Sequence, residues 1–235
     1  HHFLELRPGH EARPQQTQAA LREAWTTVLA AIREPQPSVT ETSATRLAEL
    51  LRSANPAAYP ASWRLRLEVF YNQVTPFRFA RMLYLLACVS LALSLTRRGR
   101  WAAAVGSGAL WIAFLLHAAE IVIRVILGGR PPVSNFYETM LWLPFVAVAL
   151  ALVFEHIYRV RYFGISASIL AAVTLMLADV VPLDPSISPV VAVLRSNLWL
   201  TIHVLTIVAS YGALGLATIL AHIYGVLFLS RRNRH

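Results

Sequence analysis

Three ionisable side chains, His117, Glu120 and Arg124, sit inside one apolar run. Spacings of three and four residues place them on one face of a helix. Ionisable groups in such a setting are the default place to look for a functional site; the plainer reading is a polar stripe satisfied by neighbouring helices. Further along, His203 and His222 lie in a stretch with no charge between Arg195 and Arg231. Neutral imidazole is a good metal ligand and a common axial ligand of haem iron. A lone histidine is nevertheless more often a hydrogen-bonded structural residue. A third group surrounds the turn-rich segment GGRPPVSN at 128–135, where Arg130, Asn135 and Glu138 are close in sequence. Its glycines and prolines break any helix. Ser134 or Asn135 can cap the helix that follows, with Glu138 in its first turn near the positive helix end.

The elements that carry these residues follow from composition. The 235 residues are 57% apolar and 14% charged, against about 45–50% and about 25% for an ordinary soluble domain. An ordinary soluble domain and a disordered chain are both excluded. Five apolar runs, at 77–96, 101–127, 138–157, 162–181 and 197–229, each meet the 20 or so residues needed to cross a membrane. Arg81, Glu138 and Glu155 fall near run ends, where long side chains can reach the interface. The expected fold is all-α: a polytopic membrane protein with about five transmembrane helices and a small helical extracytoplasmic N-terminal segment. Residues 1–75 form that segment, with helical patterns over 15–32 and 43–51, and residues 76–235 form a five-helix membrane domain.

The charges orient the chain. The net charge is +9 and every basic residue is Arg. Eight of these arginines (97, 98, 100, 159, 161, 231, 232 and 234) fall after runs one, three and five. The positive-inside rule makes that side cytoplasmic, so the N-terminal segment and the loops at 128–137 and 182–196 are extracytoplasmic. The basic excess is thus a topology signal, and nucleic acid is not an expected partner; the lipid bilayer is. At about 1.5 Å per residue, His117 lies about 24 Å from Trp101, in the outer half of the membrane. On the same scale His203 lies about 42 Å from Arg231, at the outer boundary, and His222 about 14 Å from it, in the inner leaflet. Trp142, Trp199, Tyr137 and Tyr162 fall near helix ends, as an aromatic belt would place them. The single Cys88 excludes a disulfide within the chain, a CxxC zinc site and a CxxCH haem-attachment site.

Two longer stretches, FLLHAAEIVIRVILGGRPPVSNFYETMLWL (114–143) and LRSNLWLTIHVLTIVASYGAL (194–214), resemble the CcsA/ResC haem-handling family of system II cytochrome c biogenesis. LEVFYNQVTPF (67–77) resembles the junction of fused CcsBA forms, in which a ResB-like part precedes the CcsA part. The resemblance implies that haem b is the cargo, brought to the outer face of the inner (cytoplasmic) membrane. There it is joined through thioethers to the two cysteines of CxxCH in apocytochrome c. It implies a ResB/CcsB-like partner, fused or separate, and makes His203 the axial ligand of the haem iron. His117, Arg124, Arg130, Asn135, Glu138 and Arg195 are the supporting residues, Arg195 standing where Gln is usual. The family's tryptophan-rich loop and the second external histidine after it are not in this sequence, so the expectation is a piece that ends before that loop and does not attach haem alone. Two other classes stay open on the residues themselves. One is a b-type electron-transfer subunit binding haem through His117 and His203 or His222; the other is a haem-free transporter or scaffold.

Overall fold

The computed structural model describes residues 15–33, 37–56, 59–74, 76–96, 99–183 and 198–232. These residues form eight helices and no strand: α1 (Gln15–Arg33), α2 (Pro37–Ala54), α3 (Ser62–Val74), α4 (Pro76–Leu93), α5 (Gly99–Gly128), α6 (Phe136–Tyr158), α7 (Tyr162–Val180) and α8 (Leu198–Arg232). Contacts divide the chain into two units, residues 1–65 and 66–235, so the division falls within α3. Arg195 and the apolar stretch from Val190 to Leu194 lie outside the described residues.

In the first unit α1 and α2 pack on each other. α1 buries Leu21, Ala24, Val28 and Ala31, a three- and four-residue spacing that lays one stripe along the helix. The Thr40 hydroxyl of α2 donates to the Ala31 carbonyl at 3.2 Å. α2 is longer than the pattern over 43–51 predicts. It starts at Pro37, whose fixed φ and missing N–H suit a first helical position.

The second unit is the membrane part. α5, α6, α7 and α8 are each long and apolar enough to cross a membrane; α3 and α4, bent by 46° between them, make a fifth span if counted together. The chain is therefore a multi-pass, all-helical membrane protein. The first of the five expected runs differs from the other four, because α4 alone is only 18 residues long. That is about 27 Å of helix, short of a hydrocarbon core of about 30 Å.

Packing in this unit relies on small residues. α4 lies against α5 and α7, and α6 lies against α7 and α8. Half of the core side chains are alanine, including Ala80 and Ala87 of α4, Ala113 of α5, Ala147 and Ala151 of α6, and Ala167 and Ala171 of α7. Lipid chains are as apolar as leucine, so helices in a membrane gain from close backbone approach, which small residues permit. Gly212 shows the limit: a Cβ there would stand 2.6 Å from the Leu143 carbonyl oxygen of α6. Many large side chains face outward, among them Leu85, Leu86 and Val89 of α4, Trp111 and Leu115 of α5, and Val173 and Met176 of α7.

Candidate functional site: the polar face of α5 and the loop that follows it

α5 turns one face into the unit, burying Ala109, Leu110, Ala113, His117, Glu120, Ile121 and Arg124. The three ionisable residues share that face, as their spacing predicts. His117 is fully enclosed. Its Nδ1 lies 3.2 Å from the Tyr84 hydroxyl of α4, and Phe77, Tyr84 and Phe145 stand edge-on around its ring at 5.6–6.0 Å. Nε2 has no hydrogen-bond partner among the described residues. Glu120 is 3% exposed, and neither of its carboxyl oxygens has a hydrogen-bond partner among the described residues.

Arg124 leads out of the helix interior into a charged cluster. Its Nη2 donates to Glu138 Oε1 at 3.2 Å and its Nη1 to the Tyr71 hydroxyl of α3 at 3.5 Å. Its guanidinium also lies over the Tyr137 ring, 5.1 Å from the centroid, a cation–π arrangement. Tyr137 is thus half-buried on Arg124 and not simply a belt residue. Glu138 receives a second arginine, with Arg130 Nη1 and Nη2 each 2.9 Å from its carboxylate. All three charged side chains are nearly enclosed. The Ser134 N–H donates to Glu138 Oε2 at 2.9 Å.

Asn135 is the N-cap of α6: its Oδ1 accepts from the Glu138 N–H at 2.8 Å. Capping satisfies one of the amides that a helix start leaves unpaired. The same turn therefore starts α6 and aims the Glu138 carboxylate back at Arg130 and Arg124. The cluster of Arg124, Arg130 and Glu138 carries one charge more of positive than of negative sign, because two guanidinium groups share one carboxylate.

His203 lies in the first two turns of α8, with an exposed side chain, and does not touch this cluster through any hydrogen bond or ring contact. Trp142 relates the two places. Its indole Nε1 on α6 donates to the Leu205 carbonyl of α8 at 3.3 Å, two residues beyond His203. The start of α8 is thus at the same end of the bundle as the start of α6. His222 is at the far end of α8, where its Nδ1 meets the Thr218 carbonyl at 2.7 Å. Among the described residues no three His, Cys, Asp or Glu side chains gather as a metal site.

Several partners were not legible in the sequence. Tyr84 and Tyr71 reach the α5 face from other helices, though the buried spacing Ala80, Tyr84, Ala87, Leu91 marks Tyr84 as inward-facing. Arg81, read as a charge reaching for the interface, pairs with Asp179 of α7 at 2.9 Å, and Arg78 approaches the same carboxylate at 3.7 Å. Glu155, read in the same way, turns its half-buried carboxyl to the Gly164 backbone at the start of α7. It sits so close to Gly164 that a Cβ there would collide with it.

A helical membrane unit with a buried ionisable face, closed by two arginines on one carboxylate, defines the class. No family-level sequence model matches the chain. Single proteins do. It is 32% identical over 152 residues to a cytochrome c biogenesis protein CcsA from Synechocystis, a stretch covering 60% of this chain and 45% of that protein. It is 39% identical over 120 residues to protein NrfI of Wolinella succinogenes, covering 51% of this chain and 13% of NrfI. To protein HemX of Brevibacillus brevis it is 31% identical over 117 residues, covering 50% and 42%. The chain is related to the CcsA proteins over about half its length, and spans less than half the length of these relatives.

Proposed function

We propose that this chain handles haem in cytochrome c maturation of the system II type. The observation that carries the reading is its similarity to CcsA proteins from several cyanobacteria and to NrfI. The geometry agrees with it. Haem is an apolar plate with an iron at its centre and two propionates at one edge. An exposed imidazole at the start of α8, with the net positive charge of two arginines on one carboxylate at the same end of the bundle, offers a ligand and an attraction for anions to such a cargo.

In this reading the cargo is haem b and His203 is the axial ligand from this chain. Arg130 and Arg124 attract the propionates, with Arg195, three residues before α8 in sequence, contributing. Glu138, Asn135 and His117 act indirectly: Glu138 holds the two arginines in register, Asn135 fixes Glu138, and His117 packs behind them. The membrane is the inner (cytoplasmic) membrane. The arginine-rich loops and the end of α8 face the cytoplasm, and the Arg130 loop, the start of α8 and the N-terminal segment face outward. Partners are a ResB/CcsB-like part, fused or separate, and apocytochrome c with its CxxCH motif. The bond-forming chemistry belongs to the porphyrin vinyl groups and the cysteine thiols, while the protein supplies position.

The test is the Soret absorbance of the purified full-length protein. His203→Ala should lose most of it, with partial recovery on adding imidazole. Full haem content and full cytochrome c maturation in His203→Ala would overturn the ligand assignment. Complete absence of haem from the unaltered protein would overturn the reading itself and favour a haem-free transporter or scaffold.

A further inference from the structure

We propose that Glu120 is a proton-binding site inside the membrane part, its carboxyl held as a neutral acid. The proposal does not rest on the haem reading. It starts from enclosure and from what the neighbours do. Glu120 is 3% exposed, and no described residue makes a hydrogen bond to Oε1 or Oε2. On α5 itself, His117 directs Nδ1 to Tyr84, and Arg124 directs Nη2 and Nη1 to Glu138 and Tyr71. From the other helices, Tyr71 of α3, Tyr84 of α4 and Tyr137 of α6 lie within electrostatic reach of the carboxyl. Glu138 is engaged by Arg124 and Arg130, and Asp179 of α7 by Arg81.

Among the described residues no cationic side chain therefore makes a hydrogen bond to the Glu120 oxygens. A carboxylate stripped of water and of donors in a low-dielectric interior is expensive, and such a group takes up a proton instead. Of all cations the proton is the one that needs no cavity, and Glu120 is packed among helices. The site binds one proton at one carboxyl oxygen, converting carboxylate to acid. Exchange has one direction open to it. Towards the start of α5 the same face passes the enclosed pair His117 and Tyr84 and then becomes Ala113, Leu110 and Ala109, all buried and apolar. Towards its end the face continues through Tyr71, Arg124 and Glu138 to the loop at 129–135. The proton enters and leaves at that end.

Infrared spectroscopy of the chain in lipid nanodiscs at neutral pH tests this. The expected result is a carboxylic-acid C=O stretch that disappears in Glu120→Gln and shifts to lower frequency in D2O. Glu120→Asp, which moves the acid without removing it, should shift the band, and Glu155→Gln should leave it in place. If Glu120→Gln leaves the acid region unchanged and removes only carboxylate bands, Glu120 is ionised and the proposal fails. Should Glu120→Gln not fold, the wild-type chain labelled with 13C at its glutamate carboxyls decides the matter. A carboxyl resonance at the protonated position that is lost in Glu120→Asp supports the site; all resonances at the ionised position, or a protonated one that Glu120→Asp leaves in place, overturns it.

Discussion

Arg130 and Glu138 face each other with two guanidinium nitrogens at 2.9 Å from the carboxylate, although one is in a loop and the other in a helix. Arg124 meets the same carboxylate at 3.2 Å from a different helix. Glu138 thereby ties the end of α5, the loop and the start of α6 into one unit. Two cations on one buried anion are stable only while the anion stays.

Removing that anion is the most damaging single change expected in the cluster. Glu138→Ala leaves two enclosed guanidinium groups without their shared carboxylate, and breaking a buried pair this way costs about 3–5 kcal/mol. Glu138→Asp, which keeps the charge but shortens the reach, should cost less. Unfolding of the nanodisc-embedded chain by heat or denaturant measures both. A Glu138→Ala variant as stable as wild type would show that the arginines find water or lipid headgroups at no cost.

Asn135 acts one step back from the charges. Its Oδ1 accepts the Glu138 N–H at 2.8 Å, so Asn135→Ala should destabilise the start of α6 by about 1 kcal/mol. Asn135→Asp and Asn135→Ser, which keep an acceptor, should recover most of the loss. Hydrogen exchange at the Glu138 amide is the direct readout. Faster exchange in Asn135→Ala alone, with the Asp and Ser variants protected, is the expected pattern.

Tyr84 and His117 offer a buried hydrogen bond between α4 and α5, 3.2 Å long and fully enclosed. Tyr84→Phe keeps the ring and its packing but leaves His117 Nδ1 without its hydroxyl. An enclosed polar atom left unsatisfied costs about 1–3 kcal/mol. The double variant Tyr84→Phe with His117→Phe removes both partners and should cost less than the sum of the single changes. A strictly additive double variant would show that the pair is not coupled.

How far the sequence could anticipate this arrangement depended on whether the signal was local. α5 to α8 were legible because apolar runs end at breakers or charges: Gly128 and Gly129 after α5, Arg159 and Arg161 between α6 and α7. The shared face of His117, Glu120 and Arg124 was legible from spacing alone, and the Asn135 cap from residue type. α3 was not, because Arg64, Arg66 and Glu68 alternate with Leu65, Leu67 and Val69, a period of two that suits a strand and not a helix. Pairings across helices were not legible either. Arg81 and Asp179 are 98 residues apart, and only the fold brings them together. The second role of Glu138, beyond helix capping, belongs to the same class. Its partners are set by how the loop turns, and spacing carries no trace of that.

Helix contact through small residues makes a matched pair of glycines on α5 informative. A Cβ on Gly106 would stand 2.8–2.9 Å from Leu91 side-chain and backbone atoms of α4, whereas one on Gly108 would meet nothing within 4 Å. The same substitution should therefore have opposite signs two residues apart. Gly108→Ala removes the entropic cost of glycine in a helix and should stabilise by up to about 1 kcal/mol. Gly106→Ala must move α4, since one of the atoms in its way is the Leu91 backbone nitrogen, and overpacking of this kind costs about 1–3 kcal/mol. Leu91→Ala combined with Gly106→Ala relieves only the side-chain part of the clash, so it should not restore wild-type stability. Equal effects of Gly106→Ala and Gly108→Ala on unfolding would contradict the close α4–α5 contact, and with it the placement of Tyr84 against His117.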